Sequence, residues 1–237
     1  MRYSRLITWF VLGAAASLAA AALMGARKAP SALPFFTETD LTPRWISPGS
    51  REYERIHRVA DWTLTDQTGG RVSAADLDGT IYVAAFFFTT CRGFCPLVRS
   101  NLAVVARAFR DDSSIRILSH TVTPDVDNAG VLAAYAATNG IHAPQWRLLT
   151  GDAGTIAALA KASYFVQVAG SAPSAPPGLL HSETLVLVDG DRRIRGLYDG
   201  TLRLEIDRLI DDIRVLERNR AEAGVGVPRA APATGAR

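Results

Sequence analysis

Residues 80–98 read TIYVAAFFFTTCRGFCPLV, and this stretch decides the fold. Thr80 to Phe88 is apolar at consecutive positions, which predicts a strand buried on both faces rather than one with a wet side. From Leu97 onward, Val98, Leu102, Val105 and Phe109 fall at helical spacing. Between strand and helix stand Cys91 and Cys95, the only two cysteines in 237 residues. If Pro96 occupies an early helical position, where its missing N–H costs nothing, the cysteine turn lies at the positive end of the helix dipole. Both thiols are then expected to be biased toward thiolate, the form that binds metals and attacks disulfides. Residues four apart in a helical turn project from one side, so the sulfurs can converge on one ion or close into a disulfide. Soft-metal binding and redox exchange are both open. A purely structural pair fits poorly beside Arg92, Gly93 and Pro96. A zinc site needs further strong ligands, and the chain has four histidines and no second cysteine pair.

Upstream, WTLTDQTGGRVSAADL (residues 62–77) reads as a hairpin turned by Thr68, Gly69 and Gly70. Downstream, Ile115 to Val122 is a second buried strand, followed by a helix from Asn128 to Thr138 that Gly140 ends. A helix over Ala153 to Ala162 leads into SYFVQV, and the loop GSAPSAPPGLL runs up to His181. Thr184–Val188 and Arg193–Leu197 read as strands joined at Asp189-Gly190, a hairpin turn signal. In the final helix Leu202, Ile206, Leu209, Ile213 and Leu216 form a buried stripe, while Glu205, Arg208, Asp211 and Asp212 face water. This order predicts an α/β thioredoxin-like sandwich, a central mixed sheet flanked by helices. In that architecture loops at the carboxyl ends of the strands meet on one edge, so the cysteine turn and the loop before His181 are expected to converge.

The composition, 48% hydrophobic and 21% charged, is globular. The net charge of +3 is modest and the arginines are scattered, which argues against nucleic acid as a partner. Leu6 to Met24, LITWFVLGAAASLAAAALM, carries no charge and would extend about 28 Å as a helix, close to a bilayer's hydrocarbon thickness. With Arg2 and Arg5 before it, residues 1–28 are expected to be an N-terminal transmembrane helix acting as anchor, or else a signal segment cleaved near Ala20 and Ala22. Residues 29–56 read as a proline-bearing linker with a docking role for Phe35, Phe36 and Trp45, 57–219 as the folded domain, and 220–237 as a disordered tail. Either reading of the N-terminus exports the domain. In an oxidising compartment a close cysteine pair becomes a disulfide unless a reductant or metal keeps it open.

The stretch TLTDQTGGRVSAADLDGTIYVAAFFFTTCRGFCPLV (residues 63–98) resembles the Sco/SenC proteins, thioredoxin-like factors for assembling cytochrome c oxidase, whose hallmark is Cys-x-x-x-Cys-Pro after an FxFTxC-type strand end. The resemblance continues through Pro124, Asp127 and Tyr135, through WRLLTGD at Trp146–Asp152, and through LHSETLVLVDGDRRIRGLYDG at Leu180–Gly200; it covers Asp61 to Leu216. It implies metal-binding thiols at Cys91 and Cys95 and a distal ligand at His181. Two thiolates and one imidazole suit Cu(I), and with a further ligand or water they hold Cu(II). His57, His120 and His142 read as packing or surface residues. Asp127 matches an acidic position near the family's site, where it either orients a ligand or is a solvated loop carboxylate. Family members commonly carry Asp-Pro where this chain has Thr123-Pro124, so any role of that acid is absent or moves to Asp125 or Asp127.

The implied function is a copper chaperone of the bacterial inner membrane, single-pass with its domain in the periplasm, acting on the copper-site subunit of cytochrome c oxidase. Other periplasmic copper chaperones and thiol-redox proteins are the further partners implied. The alternative is a thiol-disulfide oxidoreductase in which Cys91 attacks and Cys95 resolves. A copper or redox sensor ranks last, because the sequence shows no output domain.

Overall fold

The computed structural model describes residues 32–37, 41–47, 50–166 and 183–222. The expected transmembrane helix of residues 1–28, the loop up to and including His181, and the tail from residue 223 lie outside the described residues. Among the described residues no helix is long and apolar enough to cross a membrane.

The consecutive apolar run forms β5, Ile81–Phe87, and all seven of its residues are buried. Ile81, Val83, Ala85 and Phe87 join one apolar layer, while Tyr82, Ala84 and Phe86 join the other. A strand whose side chains alternate between two dry faces needs apolar residues at every position, hence the unbroken pattern. Each large side chain so buried contributes about 1.5–3 kcal/mol.

The remaining strands are β1 (Phe35–Phe36), β2 (Pro43–Arg44), β3 (Thr63–Asp66), β4 (Arg71–Ser73), β6 (Ile115–Thr121), β7 (Trp146–Thr150), β8 (Thr184–Val188) and β9 (Ile194–Asp199). Seven form one sheet in the order β4-β3-β7-β6-β5-β8-β9. β5, β6 and β7 run parallel, whereas β3 pairs antiparallel with β7 and β8 antiparallel with β5. The helices are α1 (Cys95–Ala108), α2 (Ala129–Asn139), α3 (Ala153–Ala158, continued by a wide turn over Leu159–Ser163) and α4 (Arg203–Glu222). Leu102 and Val105 of α1, Leu132 of α2, and Ile206, Leu209 and Ile213 of α4 share one layer. Trp62, Leu159, Tyr164 and Ile194 fill the other. The fold is the expected thioredoxin-like mixed sheet with flanking helices.

The helix expected from Asn128 to Thr138 and ended by Gly140 is α2. Asn128 accepts from Val131 N at 3.1 Å to start α2, and Gly140, at φ +64°, ends it in the left-handed conformation glycine adopts without strain. Asp152 accepts from Thr155 N at 2.7 Å to start α3.

Several expectations change. β7 was not predicted, because its short run WRLLT carries Arg147, which ion-pairs with Asp66 of β3 at 2.5 Å. The turn between β8 and β9 spans Asp189 to Arg193, closed by Arg192 N to Asp189 O at 2.9 Å, and its positive φ falls on Arg192, not Gly190. Leu202 precedes α4 and is 53% exposed, because the chain enters the helix only at Arg203. Asp212 does not simply face water: it accepts from Tyr198 Oη at 2.7 Å. α4 also runs on to Glu222, with Arg220 donating to Gly79 O at 2.9 Å and to Ser114 Oγ at 2.5 Å.

Phe35 docks as expected. It is buried, and the Arg195 guanidinium lies 3.9 Å over its ring while donating to Leu33 O (2.7 Å), Pro34 O (3.0 Å) and Asp189 (2.9 Å). Trp45, by contrast, is 71% exposed.

Candidate metal centre

β5 delivers its chain end to a tight turn. Cys91 N donates to Phe88 O at 3.2 Å, and α1 begins at Cys95 with Pro96 in its first turn, where no N–H is required. Cys91 therefore sits in the turn ahead of the helix rather than on a helical face, yet the two thiols still interact. Both are free thiols, Cys91 half-buried and Cys95 buried.

The expected thiolate bias fails for Cys95. Burial, reinforced by the neighbouring Cys91 thiol, pushes its thiol up to about 12. Its side chain packs with Phe87, Val98 and Leu102 in the apolar layer, where desolvation outweighs the helix terminus.

Asp127 holds this turn in place. Its carboxylate is fully buried and accepts from Thr89 N (3.1 Å), Thr89 Oγ1, Thr121 Oγ1 (2.5 Å) and Thr123 Oγ1 (3.1 Å). Thr89 is two residues from Cys91, and Thr121 ends β6, so one carboxylate joins the cysteine turn to the neighbouring strand end. Of the two readings left open for Asp127, the structure supports the positioning one. Asp125 is exposed. The signal missed in the sequence was the set of threonines at 89, 121 and 123, whose hydroxyls are the donors a buried carboxylate needs.

Behind Cys95 lies a cavity of about 20 Å3, enough for one water. Arg99, Ser119, Tyr135 and Trp146 supply its polar lining; the charge of Arg99 acts on the Tyr135 phenol, and Trp146 Nε1 donates to Ser119 Oγ at 3.0 Å.

The sheet register brings further segments to the same edge. Ala84 of β5 pairs with Val186 of β8, which pairs with Leu197 of β9. The C-terminal ends of β5 and β9 and the start of β8 therefore share one border. Gly200 N donates to Glu183 O at 2.7 Å, and Asn101 Nδ2 of α1 donates to Gly200 O at 2.8 Å. A Cβ on Gly200 would lie 2.8 Å from Glu183 O and 3.1 Å from Val98 Cγ1, so only glycine permits this approach. The chain thus re-enters the described structure, two residues after His181, at the cysteine edge.

The other histidines lie elsewhere. His57 Nε2 is 2.8 Å from Ser163 O, and His142 O accepts from Trp146 N. His120 is fully buried, stacked on Phe86 at 5.1 Å, and burial lowers it to about 4. Among the described residues no three His, Cys, Asp or Glu side chains cluster as a metal site.

A family model described as SCO1/SenC matches residues 50–217. The chain belongs to the SCO1/SenC family. The SCO1 protein homolog of Bacillus subtilis is 26% identical over 160 residues, 67% of this chain and 82% of that protein. The solved structure of BsSco, described as a Sco-family cytochrome c oxidase assembly protein with a disulfide switch, is 26% identical with a TM-score of 0.59, covering 68% of this chain and 93% of that one. Bradyrhizobium japonicum ScoI, solved with copper bound, shares the fold at 23% identity and a TM-score of 0.55, covering 67% and 99% of the two chains.

Proposed function

We propose that this SCO1/SenC protein is a membrane-tethered copper chaperone that delivers copper to the CuA-type site of cytochrome c oxidase during assembly, holding its cargo through Cys91, Cys95 and His181. The observation that carries the reading is the meeting of two free thiols at the sheet edge where the chain returns from His181. Two sulfurs and an imidazole form a soft, low-coordinate donor set that suits Cu(I). Binding releases the thiol protons, including the one burial holds on Cys95, so copper is held more tightly as pH rises. Transfer runs by ligand exchange: each sulfur of this chain is replaced in turn by a sulfur of the acceptor, with no change of oxidation state. An anchor over residues 1–28 in the bacterial inner membrane, with the domain in the periplasm, raises the effective concentration near a membrane-bound acceptor.

A second reading, a thiol-disulfide oxidoreductase, is favoured by the same free, contacting pair and by the disulfide switch described for BsSco. In that step the Cys91 thiolate attacks an acceptor disulfide, forming a mixed disulfide and releasing one acceptor thiolate. Cys95, deprotonated, then attacks the Cys91 sulfur, releasing the second acceptor thiolate and closing the Cys91–Cys95 bond. Two electrons pass to the acceptor.

The test is copper stoichiometry and Cu(I) affinity of the reduced full chain in detergent, for wild type and His181→Ala. One bound copper, weakened at least tenfold in the variant, supports the chaperone. Absence of copper in both proteins, while the cysteine pair still cycles with a disulfide substrate, overturns it and leaves the reductase.

A further inference from the structure

The described residues expose seven large hydrophobic side chains: Trp45, Phe94, Leu97, Val126, Val131, Leu202 and Leu204. Six of them, all but Trp45, belong to segments that begin at the cysteine edge of the sheet. Phe94 and Leu97 lie in the turn and first turn of α1 that carry the thiols. Val126 adjoins Asp127, whose carboxylate holds Thr89 beside Cys91. Val131 stands one helical turn before Tyr135, which lines the cavity behind Cys95. Leu202 and Leu204 follow Gly200, which is hydrogen-bonded to Asn101 of α1.

α2 extends this character. Its sequence AGVLAAYAATN holds no charged residue, although only Leu132 and Ala136 are buried. A solvated helix ordinarily carries charge on its outer face. Few charges stand free on the border: Arg92 and Asp125 are exposed and opposite in sign, Arg203 pairs with Asp207 at 3.1 Å, Asp199 accepts from Thr201 N at 2.8 Å, and Glu183 is half-buried.

We propose that this rim is the docking surface for the copper acceptor, and that the acceptor meets it with an apolar, nearly uncharged collar around its own cysteines. The inference rests on the chaperone reading. Ligand exchange requires an acceptor sulfur to reach copper held between Cys91 and Cys95, so the surface bearing that sulfur must cover the residues beside the turn. Those residues are the exposed hydrophobics, and clustering of this kind marks interaction surfaces. Interface centres are depleted in charge, so contact here is driven by apolar burial rather than ionic steering.

The probe is a reduced, copper-free CuA domain of a cytochrome c oxidase, titrated against the full chain in detergent at 50 and 500 mM salt. The variants are Leu97→Asp, Val131→Asp and Leu202→Asp, each in or just before the first turn of a helix, where an acid is tolerated. Wild-type affinity is expected to change less than about threefold with salt, and each rim variant to bind at least tenfold more weakly with Cu(I) affinity intact. Trp45→Asp, away from the rim, is expected to bind as wild type. Loss of binding at high salt together with unaffected rim variants overturns the rim while leaving the acceptor in place. Copper-competent wild type that forms no complex with the CuA domain overturns the acceptor reading and the proposal together. Self-association abolished by Leu97→Asp, with CuA-domain binding unchanged, assigns the rim to a second copy and also overturns the proposal.

Discussion

Replacing Asp127 by alanine removes, in one step, the acceptor of four hydrogen bonds: Thr89 N–H and the hydroxyls of Thr89, Thr121 and Thr123. Each bond to an ionised partner contributes about 1.5–3 kcal/mol, and a buried donor left without an acceptor costs about 1–3 kcal/mol. The hydroxyls recover part of this by turning to one another, since Thr121 Oγ1 and Thr123 Oγ1 are already 3.5 Å apart. The Thr89 backbone N–H has no such freedom. The net loss for Asp127→Ala is therefore set at about 3–5 kcal/mol, a large part of a domain's usual stability. Asp127→Asn retains an oxygen for the three donors now on Oδ2 and loses the charge and one acceptor, for about 1–2 kcal/mol. Asp125→Ala, on the exposed neighbour, is expected to change stability by no more than about 0.5 kcal/mol. Urea unfolding of the full chain in detergent, followed by tryptophan fluorescence, ranks the three, and Cu(I) affinity should fall in the same order because the cysteine turn loses its support. If Asp127→Ala lies within about 1 kcal/mol of Asp125→Ala, the carboxylate is not the fastening inferred here.

Iodoacetamide at neutral pH followed by peptide mass mapping should label Cys91 well before Cys95, which is 7% exposed and pushed up to about 12; first labelling at Cys95 would contradict the geometry. His120 titrates near 4 in the folded chain and near 6.5 unfolded, so the unfolded state binds the extra proton between those values and stability falls as pH drops through that window, by about 3 kcal/mol at its lower end. His120→Phe, which also removes the buried Nε2 that finds no partner, should lose that much less between pH 7 and pH 4, and parallel curves for the two proteins would refute the assignment. Gly200→Ala drives a methyl to 2.8 Å from Glu183 O and should destabilise by about 1–3 kcal/mol while weakening copper, since it displaces the strand that leads from His181; unchanged unfolding and copper curves would show that the approach is not tight.

Local signals in the sequence sufficed for the elements with a single physical cause. The unbroken apolar run made β5 a strand buried on both faces, helical spacing made α1 and α4, and Asn128 and Gly140 marked the bounds of α2, because those choices depend on neighbours within one turn or one pleat. Proximity in sequence was likewise enough to place Cys91 beside Cys95. β7 was not legible: Arg147 breaks its pattern and is stabilised by an ion pair with Asp66, which lies far away along the chain. The burial of Asp127 had the same cause, since its donors come from residues 89, 121 and 123.

The protonation of Cys95 was misjudged for a related reason. The helix start could be read from Pro96, but the desolvation that outweighs it needs Phe87 of β5 and the rest of the apolar layer closed over the first turns of α1. Residue type and spacing determined which groups could perform the chemistry. Their burial, their partners and the edge on which they gather depend on contacts between distant segments, and those exist only once the sheet register is set.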